Sequence, residues 1–210
     1  MQATILSQAC GGRAEAEAFL KAGYARAYGA QLENFPAQLC VVRRDGGAPL
    51  AGAGIRLAGD GFFSEAYLDK PLCDIAAELW GGPVSSHAFI EITTLVSASP
   101  FALFPLMAAL LDCGRARGLT AGLFTITAPL RRLFLRLGIP FTALVPARAE
   151  RIGNAQSWGS YYEMDPWVCL MRDPAHAVFP RASLSVPALT PASSQAAAFD
   201  SPLKEYALHG

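Results

Sequence analysis

Residues 88–127 read AFIEITTLVSASPFALFPLMAALLDCGRARGLTAGLFTIT, and this stretch decides the fold. Residues 88–96 are rich in β-branched side chains, which favours a β-strand. Residues 100–117 are largely apolar, begin at a proline and end before a glycine, which is typical of a helix. A second strand is predicted at residues 123–127. A strand, a helix and a strand in this order predict a parallel pair with a right-handed crossover.

Further elements are predicted on both sides of this central unit. The upstream ones are a helix over 13–29, strands at 39–42, 50–57 and 62–68, and a short helix over 71–80. The downstream ones are a helix over 129–137 and strands at 141–145 and 161–171. The first three strands resemble an antiparallel meander. We therefore expect an α/β (α+β) fold, in which a mixed sheet with a central parallel strand pair carries helices on both faces. One domain is expected over residues 1–172, and residues 173–210, rich in Pro, Ala and Ser, are predicted to be a mobile tail.

The composition limits the classes of function. The chain has 210 residues, 52% of them hydrophobic, which suits one domain with a full core. Lys+Arg and Asp+Glu both number 17, and this balance argues against a nucleic-acid-binding protein and a polybasic membrane anchor. The most apolar stretch, 101–111, contains Pro105 and is too short to span a membrane, which takes about 20 residues.

The cysteines and histidines point to a reducing compartment without a metal site. None of the five cysteines has CxxC spacing, and the three histidines are scattered. The first ten residues lack the basic and apolar regions of a signal peptide. The sequence thus predicts free thiols, no bound metal and a cytoplasmic protein.

Four segments carry a resemblance to a known family. They are EAYL at 65–68 followed by Pro71; IEI at 90–92 with LVS at 95–97; FTIT at 124–127 with LFLRLG at 133–138; and WGSYY at 158–162 before Pro166. In this order and spacing they resemble the thermostable hemolysin family, which is similar to GNAT acyltransferases and to acyl-homoserine lactone synthases. Residues 132–139 also resemble a stretch that ends many GNAT acetyltransferase domains.

The resemblance implies acyl transfer from acyl-CoA, or from an acyl carrier protein, to a small amine. It places the donor's pantetheine arm between strands 89–96 and 123–127, with binding groups at Leu95, Val96, Ser97 and Ser99. This sequence departs from the GNAT pattern in two ways. Residues 97–103 lack the glycines and arginine of the usual phosphate-binding loop. Phe134 also stands where many acetyltransferases carry a tyrosine acid, and phenylalanine has no proton to donate.

The candidate catalytic residues are two carboxylates and two phenols. Glu91 interrupts an apolar strand, and an unpaired carboxylate there is costly unless it faces a cavity, a charge or solvent. In a partly dry cleft its pKa would rise, which suits a general base for an amine. Glu65 is expected beside the same cleft, and Tyr161 and Tyr162 are candidates for the acid that Phe134 cannot be.

Two other functions and one docking surface stay open at this point. The missing glycine loop also fits a non-catalytic binding module, and the family name implies a membrane-active protein, for which the Phe-rich residues 101–104 would supply an apolar patch. Arg131, Arg132 and Arg136 form either a solvated helix face or a docking surface for an acidic carrier protein.

Overall fold

The computed structural model describes residues 1–45 and 47–172. Its strands are β1 (Gln2–Leu6), β2 (Gln38–Arg43), β3 (Pro49–Arg56), β4 (Phe89–Ser97), β5 (Ala121–Ile126), β6 (Thr142–Pro146) and β7 (Trp167–Arg172). Its α-helices are α1 (Arg13–Tyr28), α2 (Leu72–Trp80), α3 (Pro100–Ala116) and α4 (Ala128–Arg136). Two 3-10 segments, Phe63–Tyr67 and Ala155–Met164, matter for the site. The predicted tail lies outside the described residues.

The seven strands form one mixed sheet in the order β1-β2-β3-β4-β5-β7-β6. β4 and β5 are parallel, and every other neighbouring pair is antiparallel. The α3 crossover therefore joins the central parallel pair, as the sequence predicts. The mixed sheet with helices on both faces is confirmed.

The two faces of the sheet have separate cores. We call the side covered by α1 and α2 the front face and the side covered by α3 and α4 the back face. Leu20 of α1 and Leu72 of α2 are fully buried in the front-face clusters. Leu106 of α3 and Leu130 of α4 are fully buried in the back-face cluster. Alternate residues of β4 and β5 therefore reach opposite faces.

Three sequence-based predictions of local structure are wrong or incomplete. The stretch predicted as a third strand, 62–68, contains the 3-10 segment Phe63–Tyr67 instead. The strand predicted at 161–171 is confined to β7, since Tyr161 and Tyr162 lie in the 3-10 segment Ala155–Met164. The edge strand β1, paired with β2, was not predicted. None of the described helices is both long and apolar enough to cross a membrane.

Candidate active site

The two parallel strands separate at their carboxyl ends. The last residue pair of the parallel ladder joins Ile92 to Phe124. Beyond this pair β4 continues to Ser97 and β5 to Ile126. An opening thus forms in the middle of the sheet, reached from the front and the back face.

A β-bulge lies in the diverging part of β4. Gly52 is paired with Val96 and Gly54 with Thr93, so two residues of β4 stand opposite one residue of β3. Within the bulge, Thr94 has a φ of 45°, which is an outlier for a β-branched residue. Strained backbone of this kind clusters at functional sites, and here it lies beside the opening in the sheet.

A cavity of about 380 Å³ lies over this opening on the front face. We call it the front cavity. Five serine and threonine residues line it, namely Ser64, Thr93, Thr94, Thr125 and Ser157. Four aromatic rings also line it, from Phe63, Tyr67, Trp158 and Tyr161. Among the described residues, its charged lining consists of Arg56 and Glu33. A polar floor and an aromatic wall are typical of a site for a small molecule.

Glu91 is fully buried and does not itself line the front cavity. Its carboxylate accepts hydrogen bonds from the backbone N–H of Phe63 (2.7 Å) and of Ser64 (2.8 Å), and from the Ser64 hydroxyl (2.6 Å). Burial raises the pKa of Glu91, opposed in part by these hydrogen bonds and by the charge of Arg56. A carboxylate with a raised pKa takes up a proton more readily than an ordinary glutamate.

Two hydroxyl groups connect Glu91 to the front cavity. The Ser64 Oγ lies 2.8 Å from the Thr125 Oγ1. Because the single Ser64 hydroxyl hydrogen is donated to Glu91, Thr125 must donate to Ser64. The Thr125 oxygen can then accept a proton from a group in the cavity. The geometry supplies a proton path from the cavity through Thr125 and Ser64 to Glu91.

Sequence reasoning missed Ser64 and Thr125. Thr125 had a detectable signal, because it is a polar residue in the otherwise apolar strand β5, as Glu91 is in the apolar stretch 89–92 of β4. Glu91 pairs with Leu123, so Thr125 lies two residues farther along on the same face. Ser64 had no such signal, since its role depends on the long-range contact with Glu91.

Thr93 and Thr94 add two buried hydroxyls without a partner. Their exposed fractions are 9% and 6%, and neither Oγ1 has a hydrogen-bond partner among the described residues. Leaving a buried hydroxyl unsatisfied costs about 1–3 kcal/mol. Since both threonines line the front cavity, a polar ligand there would supply the missing bonds.

Close backbone contact with the end of α1 and the residues just after it holds the aromatic wall in place. The backbone N–H of Gln31 donates to the Ser157 carbonyl (2.6 Å), and the Ser160 hydroxyl donates to the Tyr28 carbonyl (3.3 Å). Between them Gly159 has a φ of 54°, and a Cβ at this position would lie 2.0 Å from the Tyr28 carbonyl oxygen. Only a glycine permits this approach.

A second, smaller cavity of about 40 Å³ lies on the back face, between the parallel strands, α3 and α4. We call it the back cavity. Its lining is apolar and includes Ile92, Leu95, Gly122 and Phe134. Phe134 packs on Phe124 with the ring centroids 5.8 Å apart. Its apolar lining favours an aliphatic group over a polar one.

The other predicted catalytic residues take different positions. Tyr161 lines the front cavity, and its hydroxyl donates to the Thr125 carbonyl (3.3 Å). The Tyr162 hydroxyl lies 2.7 Å from that of Tyr67, outside the lining. Burial raises the pKa of both tyrosines, which therefore stay protonated at neutral pH. Glu65 is exposed, accepts a long bond from the Leu72 N–H (3.4 Å) and lines neither cavity.

The residues predicted to hold the donor lie along the opening and at the start of α3. The Leu95 side chain lines the back cavity, and Val96 packs in the front-face core against α1. The Ser97 hydroxyl donates to the Ser99 carbonyl (2.7 Å), and the Ser99 hydroxyl accepts from the Phe101 N–H, which caps α3. Their predicted role in donor binding stays a prediction.

The described residues include no group of three or more His, Cys, Asp or Glu side chains that could hold a metal ion. Of the three arginines on α4, Arg131 forms an ion pair with Asp165. Arg132 and Arg136 are exposed.

Comparisons with known proteins place the chain in a family and identify solved structures with the same fold. Residues 7–198 match a family model described as thermostable hemolysin. A comparison with curated proteins found no match.

Several solved structures share the fold. FeeM, an N-acyl amino acid synthase from uncultured soil microbes, is 14% identical over 87% of this chain and 99% of its own, with a TM-score of 0.57. The AHL synthase LasI is 8% identical over 81% and 89%, with a TM-score of 0.55. TofI, solved with an inhibitor and MTA, is 15% identical over 87% and 99%, with a TM-score of 0.52. The fold is that of the GNAT acyltransferases.

Proposed function

We infer that this chain, which belongs to the thermostable hemolysin family, is an N-acyltransferase that moves an acyl group from a thioester to a small amine. The donor is acyl-CoA or an acylated carrier protein. Solved structures that share the fold of this chain include an acyl-homoserine lactone synthase and an N-acyl amino acid synthase. We place the reaction in the cytoplasm, a reducing compartment that suits five free cysteines.

One observation carries the proposal: two cavities of opposite character lie on either side of the opening between β4 and β5. The apolar back cavity would receive the acyl chain, and the polar front cavity would receive the amine. The thioester carbonyl would then lie in the opening between them. Holding two reactants at one point in this way converts a bimolecular reaction into an effectively unimolecular one.

Glu91 would act as the general base, reached through the proton path. The amine nitrogen attacks the carbonyl carbon of the thioester, the C–S bond breaks, and the thiolate leaves with the bonding electrons. The amine loses a proton, which passes through Thr125 and Ser64 to Glu91. The raised pKa of Glu91 suits this task, because a base acts best when its pKa approaches the working pH. The proton is later returned to solvent or to the thiolate, so Glu91 is regenerated.

The donor is held without a glycine-rich phosphate loop. Ser99 caps α3, and residues 97–103 contain neither glycine nor arginine. The exposed Arg132 and Arg136 lie on α4, a wall of the back-face core, where they would contact an acidic carrier protein or a phosphate of CoA. Both donors therefore belong in the test.

Thermal unfolding of the pure protein tests the proposal. It is measured alone and with CoA, acetyl-CoA, long-chain acyl-CoA and an acylated carrier protein. A ligand at 100 times its dissociation constant adds about 2.7 kcal/mol, a visible rise in Tm. We expect a rise with a donor, and amide product when that donor is mixed with an amine. No rise with any donor in a cooperatively melting protein would favour a non-catalytic binding module.

Two variants link the activity to the proton path. Glu91→Gln should lose at least about 100-fold in turnover, the low end for loss of a general base. Glu65→Gln is the matched control, because it removes a carboxylate from the same segment as Ser64 but lines neither cavity. Equal turnover in the two variants would contradict the assigned base.

Membrane activity is the second candidate, favoured by the family description. Phe101 has an exposed fraction of 75%, but Ala102 and Leu103 beside it are buried in the core. Residues 101–104 thus offer one exposed ring rather than a continuous patch. Dye release from liposomes that is abolished by Phe101→Ser would support lysis.

A further inference from the structure

Arg56 is a half-buried cation in the wall of the front cavity, and some of its N–H groups are not hydrogen-bonded. Its Nη1 donates to the carbonyl oxygens of Asp60 and Gly61, both at 3.1 Å. A guanidinium has five N–H groups, and those on Nε and Nη2 have no hydrogen-bond partner in the described chain. The two carbonyls therefore hold the side chain in place and leave an open edge of donors.

Arg56 forms no hydrogen bond with Glu91, although its charge acts on that carboxylate. It pairs across the strands with Glu91, yet the Glu91 oxygens accept from Phe63 and Ser64. Within residues 1–45 and 47–172, no ion pair of Arg56 is found. A positive charge thus faces the cavity with no negative side chain bound to it.

Two buried hydroxyls lie on the same side of the opening. Thr93 pairs with Gly54 on β3, two residues before Arg56, so Thr93 and Arg56 are diagonal neighbours on one face, about 7–8 Å apart. The Thr93 and Thr94 hydroxyls have no partner among the described residues. A planar group with two acceptor oxygens would satisfy these hydroxyls and the open edge of Arg56 together.

We propose that the front cavity binds the carboxylate of its acceptor through Arg56, Thr93 and Thr94, so that the acceptor is an amino acid. Guanidinium and carboxylate match in a bidentate geometry. The α-amino group, two bonds from the carboxylate, would then reach Thr125 on the neighbouring strand. The side chain of the amino acid would pack on the rings of Phe63 and Trp158. This inference rests on the proposed function, because it assigns that enzyme's acceptor.

Binding without donor tests the inference. Thermal unfolding is measured with each of the twenty standard amino acids and with the amide of each one that binds. The amide keeps the amine and side chain but lacks the negative charge of the α-carboxylate. We expect at least one amino acid to raise Tm and its amide to bind at least 10-fold more weakly by calorimetry. Equal affinity for acid and amide, or no binding by any amino acid, would overturn the inference.

Variants of Arg56 separate recognition from folding. Arg56→Gln should bind acid and amide equally, and Arg56→Lys should keep part of the preference because it keeps the charge. Arg148→Gln, which removes an exposed arginine outside the cavity, should behave as the unchanged protein. A preference for the acid that survives in folded Arg56→Gln would overturn the inference. Because no donor is present, these results are independent of the donor-induced rise in Tm that tests the proposed function.

Discussion

Gly159→Ala should destabilise the fold by about 3 kcal/mol or more. An alanine Cβ would lie 2.0 Å from the Tyr28 carbonyl oxygen, where ordinary contacts begin near 3.4 Å, so the two backbones must separate by more than 1 Å. The φ of 54° and ψ of −131° add about 1–3 kcal/mol of strain for any residue with a side chain. The displaced segment also loses part of its ring contacts between Trp158 and Tyr24.

Urea denaturation measures this loss, and Gly153→Ala is the matched control. A Cβ added at Gly153 would have no atom within 4 Å, and the φ of this residue is not positive, so its substitution should change stability by less than about 0.5 kcal/mol. With a urea m-value of about 1–3 kcal/mol/M, the Gly159 variant's midpoint should fall by about 1 M or more. Equal midpoints for the two variants would refute the argument that this contact builds the cavity wall.

Three further outcomes follow from the site. Ser64→Ala should lower turnover at least about 10-fold while the backbone bonds to Glu91 remain, because it interrupts the proton path; full activity would contradict that path. The rate should fall as the pH drops through a pKa above the ordinary value for glutamate, since burial raises the pKa of Glu91 and the base acts when ionised; a rate that falls only below that ordinary value would argue against it. Gly122 lines the back cavity, so Gly122→Leu should fill it and reduce the rise in Tm with long-chain donors. Gly122→Ala should not, because a Cβ there meets its nearest atom at 3.5 Å. Equal effects of the two variants would place the acyl chain elsewhere.

The central strand–helix–strand unit was predictable because its signals are local. Ser99 and Pro100 open α3, and the hydroxyl of Ser99 does accept from the backbone at the first turn. The β-branched content of residues 89–96 favours a strand regardless of its partners. The cap and the strand propensity depend only on residues adjacent in the sequence. The structure that they favour therefore forms whatever packs against it.

The segment around Ser64 was not predictable in the same way. Its aromatic residues favour a strand, but two backbone N–H groups are bonded to Glu91, 27 and 28 residues away. That long-range contact overrides local propensity and forms a 3-10 turn. The positive φ of Thr94 has a similar origin, because a β-branched residue does not favour it and the surrounding sheet must impose it.

The short parallel ladder also has a mechanical consequence. Strands β1 to β4 and strands β5 to β7 form two halves of the sheet, and in the described part of the chain the strand pairing between them covers four residues, Phe89 to Ile92. A donor lying across the opening would contact both halves and act as a brace between them. Amide hydrogen exchange at Ile90 and Leu123 should therefore slow when donor is bound, even though neither backbone group touches it.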